Sequence, residues 1–98
     1  MTTLTLVTEP IGKVQEFERD EIRNLHIRKS GLSEAFAILA RTEGFELTGL
    51  YPKMVADMGQ VAIEFQTWWD RTAKQYGWVG KPGKKWRIDF DTCEIFLD

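Results

Sequence analysis

Apolar residues recur at helical spacing over one stretch much longer than any other. Met54, Val55, Met58, Val61, Ala62, Phe65, Trp68, Trp69, Ala73 and Tyr76 fall within an arc of about 140° when each residue turns the chain by about 100°. This stripe predicts a single helix over about 52–76. Pro52 suits its first turn, where a missing N–H is no loss, and Gly77 stops it. At 1.5 Å per residue such a helix is about 37 Å long, more than a small core requires. The remaining segments are short and depend on it.

The pattern changes period elsewhere. Thr3-Leu4-Thr5-Leu6-Val7-Thr8 alternates and reads as a strand, stopped by Glu9-Pro10-Ile11-Gly12. Residues 13–28 fit two readings. Val14, Phe17, Ile22 and Leu25 can share a helical face, whereas the run from Arg23 to Arg28 alternates at period two with Leu25 and Ile27 inward. The compromise is a short helix or irregular segment to about Ile22, followed by a strand. Lys29-Ser30-Gly31 reads as a turn, and Ser33 as the N-cap of a short, mostly buried helix over about 33–43. Gly44 would end that helix in a left-handed conformation, with Phe45 folding back on Ala40. Lys81-Pro82-Gly83-Lys84 is a turn. A hairpin over about 85–97 follows, in which a two-residue Asp91-Thr92 loop would set Phe90 against Cys93, Ile88 against Ile95 and Trp86 against Leu97. Asp-Thr is not a favoured hairpin pair, which leaves a longer loop open.

Composition narrows the class. A chain of 98 residues, 43% hydrophobic and 29% charged, predicts one globular domain over 1–98. No apolar run approaches the roughly 20 residues of a membrane span, and the first residues lack a signal peptide's basic and apolar regions. The expected location is cytoplasmic, with no membrane partner. Cys93 and His26 are each the only residue of their type, which excludes an internal disulfide and multi-ligand zinc sites. No phosphate loop, dinucleotide fingerprint or nucleophile elbow is present, so no enzyme, cofactor or metal is expected. Ala40 and Gly44 have the Ala-x-x-x-Gly spacing of a helix-turn-helix. Glu43, however, stands where that motif is apolar, and Pro52 would fall in the recognition helix, so the match fails.

Charge is segregated although the net value is only −2. Arg71, Lys74, Lys81, Lys84, Lys85 and Arg87 form a basic stretch without an acidic residue, interleaved with Tyr76, Trp78 and Trp86. Cations with aromatic faces suit phosphates and bases; the plainer reading is a helix end, stabilised by Lys74, followed by a polar loop. Asp89, Asp91 and Glu94 form an acidic patch. In the predicted register Asp89 and Glu94 oppose each other, which invites a cation or a basic partner unless a nearby Lys answers them. Ile63 lies about 160° from Phe65, near Ala56 and Gly59. That far face would receive the short helix, or else serve a homodimer or partner interface. Trp68 lies at the edge of the stripe and Trp69 well within it, so Trp68 is a candidate interface anchor, while the plainer and favoured reading is core packing with the indole N–H at the rim.

The pattern as a whole predicts an α+β fold, with a long helix and a short one on a small antiparallel sheet that includes the C-terminal hairpin. The expected function is a small non-enzymatic binding protein acting on a protein partner as an accessory or inhibitor factor, for instance of phage or mobile-element type. Trp68, Arg71, Lys74, Trp78, Lys81, Lys84, Lys85 and Arg87 are its expected contacts. The alternative is a nucleic-acid-binding module using the same basic aromatic stretch.

Overall fold

The computed structural model describes residues 9–98 and has an α+β fold. The predicted strand at 3–8 lies outside the described residues. Along the chain come β1 (Gly12–Lys13), α1 (Glu16–Leu39), a short 3₁₀ turn (Phe45–Leu47), α2 (Leu50–Tyr76), β2 (Trp86–Ile88) and β3 (Glu94–Leu97).

The long helix runs as its stripe predicts, with 27 residues. Gly77 closes it at φ 76°, a left-handed conformation in which a Cβ would be strained, and its N–H reaches the Ala73 and Lys74 carbonyls. Met54, Val61, Trp68, Trp69 and Thr72 are buried along its inner face. Val55 is exposed, because an arc this broad is wider than the surface one neighbouring helix covers.

The second helix corrects the sequence reading most. Residues 16–39 form one helix of 24 residues, with no strand at 23–28, no turn at Lys29-Ser30-Gly31 and no separate helix starting at Ser33. Ile22, Leu25, Lys29, Leu32, Phe36 and Leu39 recur at alternating steps of three and four, the spacing of a helix–helix seam. Lys29 hides this repeat because it is a cation at a seam position. Its ammonium lies 4.5 Å from the Phe65 ring centroid on α2. Contact along a partner helix outweighs the local turn preference of Ser30 and Gly31. Ile27, read as inward, points away and is 60% exposed. At the start of α1, the Gln15 N–H donates to Glu18 Oε1 at 2.9 Å, and Glu16 and Glu18 place negative charge at the positive helix end.

The two helices form an antiparallel hairpin. Its tip is closed by Phe45, which is buried and packs edge-on against Phe36 and Tyr51 at 5.8 and 5.6 Å. Gly44 has the predicted left-handed conformation but opens the 3₁₀ turn, five residues past the end of α1.

The sheet has the order β1-β3-β2 and is antiparallel throughout. Trp86 faces Leu97 and Ile88 faces Ile95, as the hairpin pattern predicts. The loop is longer than two residues. The Asp89 N–H bonds the Glu94 carbonyl at 2.8 Å and the Cys93 N–H bonds the Asp89 carbonyl at 2.8 Å, so residues 90–93 make the turn and Phe90 does not pair with Cys93. Cys93 turns the corner at φ 64° and points into the core. The Phe90 carbonyl accepts from Arg19 at 3.0 Å and Arg23 at 3.3 Å, which ties the hairpin to α1. The two-residue strand β1 forms at Gly12 and Lys13, within the segment whose Pro10 and Gly12 predict a stop. Gly12 is required there by space, since a Cβ would overlap the Trp78 indole.

The core lies between the sheet and one face of the helix pair, and contains Val14, Ile22, Trp68, Trp69, Cys93 and Ile95. The hairpin extends beyond the sheet. The radius of gyration is 17.4 Å, against about 13 Å for a compact domain of 100 residues. No helix of the described residues is long and apolar enough to cross a membrane.

Candidate functional site

The expected contact residues divide among three places. Trp68 and Arg71 meet Ile63 in a groove of about 510 Å³ between α1 and α2. Helical spacing puts this groove on the side away from the sheet. Arg19, Arg23 and His26 of α1 and Trp69 of α2 touch the hairpin, whereas Glu21, Asn24 and Arg28, and Ile63, Thr67 and Arg71, point the other way. Two interhelical ion pairs cross it. Arg71 reaches Glu21 at 3.6 Å and Arg28 reaches Glu64 at 2.6 Å. All four side chains are largely solvated, so each pair contributes about 0–1 kcal/mol. Leu25 and Trp68 form its apolar floor, and Ile63 stands 62% exposed at its edge. A second hollow beside Leu32 and Asp57 shares Arg28 and Gln60, which extends the groove toward the hairpin tip.

Trp68 is therefore not a half-exposed anchor. It is 2% exposed, and its Nε1 is buried without a hydrogen-bond partner among the described residues. Ile63, Ala56 and Gly59 are not covered by a second helix either. All three are exposed, and nothing lies within 4 Å of where a Gly59 Cβ would stand.

Trp78 occupies the second place, an aromatic stack at the base of the sheet. Its ring lies parallel to Tyr76 at 4.7 Å and tilted on Trp86 at 6.3 Å, and Trp86 in turn stacks on Trp69 at 6.1 Å. Tyr76 donates its hydroxyl to the buried Glu18 carboxylate. That bond, with burial adding to it, pushes the Tyr76 phenol up to about 12.

The third place is the loop between α2 and β2. Lys81, Lys84 and Lys85 are exposed and make no ion pair among the described residues. Lys81-Pro82-Gly83-Lys84 forms the predicted turn, with a 3.0 Å bond from the Lys84 N–H to the Lys81 carbonyl and Gly83 at φ 76°. Val79, just before it, is 79% exposed. Lys74 is exposed in the last turn of α2, where a cation meets the negative helix end. Arg87 is ion-paired with Asp98 and lies 4.1 Å over the Phe96 ring. That hydrogen bond, with Lys84 adding to it, holds the Asp98 carboxyl below its ordinary range.

In the acidic patch Asp89 and Glu94 stand opposite each other as the register predicts, with the Asp89 N–H on the Glu94 carbonyl at 2.8 Å. Asp89 Oδ1 accepts the Asp91 and Thr92 N–H groups at 2.8 and 3.2 Å, a turn-stabilising role. Glu94 stands opposite Lys13 in the β1–β3 ladder, and Asp91 is exposed at the turn. Among the described residues no three His, Cys, Asp or Glu side chains converge as a metal site would need.

Glu21, Arg28 and Glu64 were missed in the sequence. Their signal is a spacing of seven between opposite charges, Glu21 to Arg28 and Glu64 to Arg71. It means something only once 16–39 is read as one helix, because only then do both members share a side of α1. No protein-family model, no curated protein sequence and no solved structure matches this chain.

Proposed function

We propose that this chain is a small non-enzymatic binding protein, an accessory or inhibitor factor, which docks on an acidic protein surface through the loop at the end of its long helix. The observation that carries this reading is the loop itself. Lys81, Lys84 and Lys85 project from a Pro-Gly turn with no acidic side chain ion-paired to them among the described residues, beside the exposed Val79. Cations that make no ion pair, set around an apolar residue, favour a carboxylate-rimmed partner, and steer its approach over several ångströms.

The nucleic-acid alternative has the same cations but lacks free aromatic faces. Trp78 and Trp86 are occupied by Tyr76, Trp69 and each other, so bases would have to displace packing that closes the core. The test is affinity capture from the native host with the wild type and with Lys84→Glu/Lys85→Glu. A protein retained by the wild type and lost by the double variant supports the reading. DNA or RNA binding that falls steeply with salt, with no protein captured, replaces it with the alternative.

A further inference from the structure

We infer that the bare face of the helix pair is the interface of a two-fold dimer, in which the α1/α2 hairpins of two copies pack into a four-helix bundle. Among the described residues, the sheet covers only one side of the two helices. On the other, the groove between them carries a half-buried Leu25, the Trp68 floor and an Ile63 that is 62% exposed. Phe17, one turn before Glu21 on the same side of α1, is 61% exposed. Two antiparallel helices with an apolar seam leave one side of that seam open, and a second hairpin closes it in the common bundle arrangement.

The charges identify a second copy as the occupant. Glu21 and Arg28 stand on α1 two turns apart, about 10.5 Å. Arg71 and Glu64 stand beside them on α2 with the signs exchanged. The four charges therefore form a rectangle in which every neighbour, along a helix or across the groove, has the opposite sign. A second copy laid face to face, by a two-fold axis along or across the helices in their plane, sets each carboxylate over a guanidinium. A surface of one sign could not pair with itself in this way, whereas this pattern is complementary to its own rotated image.

The area falls within the range of stable interfaces. An α1 of 24 residues is about 36 Å long, and two helices side by side are about 20 Å across, which gives about 700 Å² per copy. Specific stable interfaces bury about 600–1,000 Å² on each partner. The sheets lie on the outer sides in such a pair, so the lysine loops stay free.

Sedimentation equilibrium on three proteins tests this. The wild type is expected at twice the 11.4 kDa chain mass at concentrations of about 100 μM. Arg28→Glu/Arg71→Glu makes all four corners acidic, and Glu21→Arg/Glu64→Arg makes them basic. Each is expected to be monomeric, with its dimer weakened at least about 100-fold, and an equimolar mixture is expected to form the heterodimer. Circular dichroism establishes that each is folded. If either loses helix, Ile63→Glu, at an exposed position, takes its place and is expected to be monomeric. A monomeric wild type at about 1 mM overturns the inference. So do folded charge variants, or a folded Ile63→Glu, that dimerise as tightly as the wild type, and so does a mixture of folded variants that stays monomeric.

Discussion

Among the described residues, one face of the helix pair meets the sheet and the other is left uncovered, although the same two helices supply both. Toward the sheet, Ile22 and Ile95 are fully buried, Trp69 stacks on Trp86, and Arg19 and Arg23 hold the Phe90 carbonyl. Away from it, Ile63 and Phe17 are exposed and the charged side chains bridge the helices through solvated pairs. Few apolar residues distinguish the two faces by type. What separates them is coverage, because strands of two to four residues shield only the end of the hairpin nearest the chain termini. The helical repeat itself therefore does not say which apolar side chains contribute to monomer stability.

The largest effect that tests this contrast is Trp69→Ala. It removes a large ring that is 5% exposed, and should cost about 3–5 kcal/mol, while Ile63→Ala should stay within about 0.5 kcal/mol. Urea denaturation of dilute protein measures both. Equal losses would mean that the bare face is covered within one copy.

Gly12→Ala comes next. Its new methyl group meets the Trp78 indole, so either β1 lifts from β3 or the aromatic stack shifts, at about 1–3 kcal/mol. The midpoint should fall with a loss of near-ultraviolet dichroism from the tryptophans. An unchanged signal would show that the stack does not depend on that close approach.

Tyr76→Phe removes a partner from the buried Glu18 carboxylate and should cost about 1–2 kcal/mol near neutral pH. It also has a pH signature. Unfolded tyrosine ionises near pH 10, whereas Tyr76 in the folded chain ionises at about 12. The folded state holds its proton longer, so this contribution is complete below about pH 10 and is lost as pH rises toward 12. The variant should decline less over that window in pH-dependent thermal melts, and parallel curves would separate Glu18 from the effect.

The smallest expected change is a gain. Gly59→Ala fills empty space on an exposed helix interior and should stabilise the monomer by about 0.4–1 kcal/mol. A loss at low concentration would place another part of the same copy against Gly59.

Legibility varied along the chain for physical reasons. The α2 stripe was readable because ten apolar residues keep one phase over nearly its whole length, with Pro52 and Gly77 as punctuation. The pairing of Ile88 with Ile95 was readable because alternation admits few registers. The turn itself was not, since Cys93 adopts a left-handed backbone that its residue type does not announce. The continuity of α1 was hidden by Lys29, Ser30 and Gly31, whose local preferences favour a turn. Trp68 and Arg71 were legible as candidates, but their groove required α1 to lie alongside.

The sequence by itself determined the class of fold, the long helix and its ends, the hairpin register, and the segregation of charge into a basic loop and an acidic terminus. These follow from short-range rules, namely the period of side-chain direction and the backbone limits of Pro and Gly. Tertiary structure alone decided that 16–39 is one helix, that Lys29 belongs to its seam, that Asp89 serves a turn, and that Glu21, Arg28, Glu64 and Arg71 frame a common face. Each of these depends on a neighbour distant in sequence, Phe65 for Lys29 and α2 for α1, whose contact energy exceeds the cost of up to about 1 kcal/mol per residue, as at Gly31, by which local preference opposes the helix.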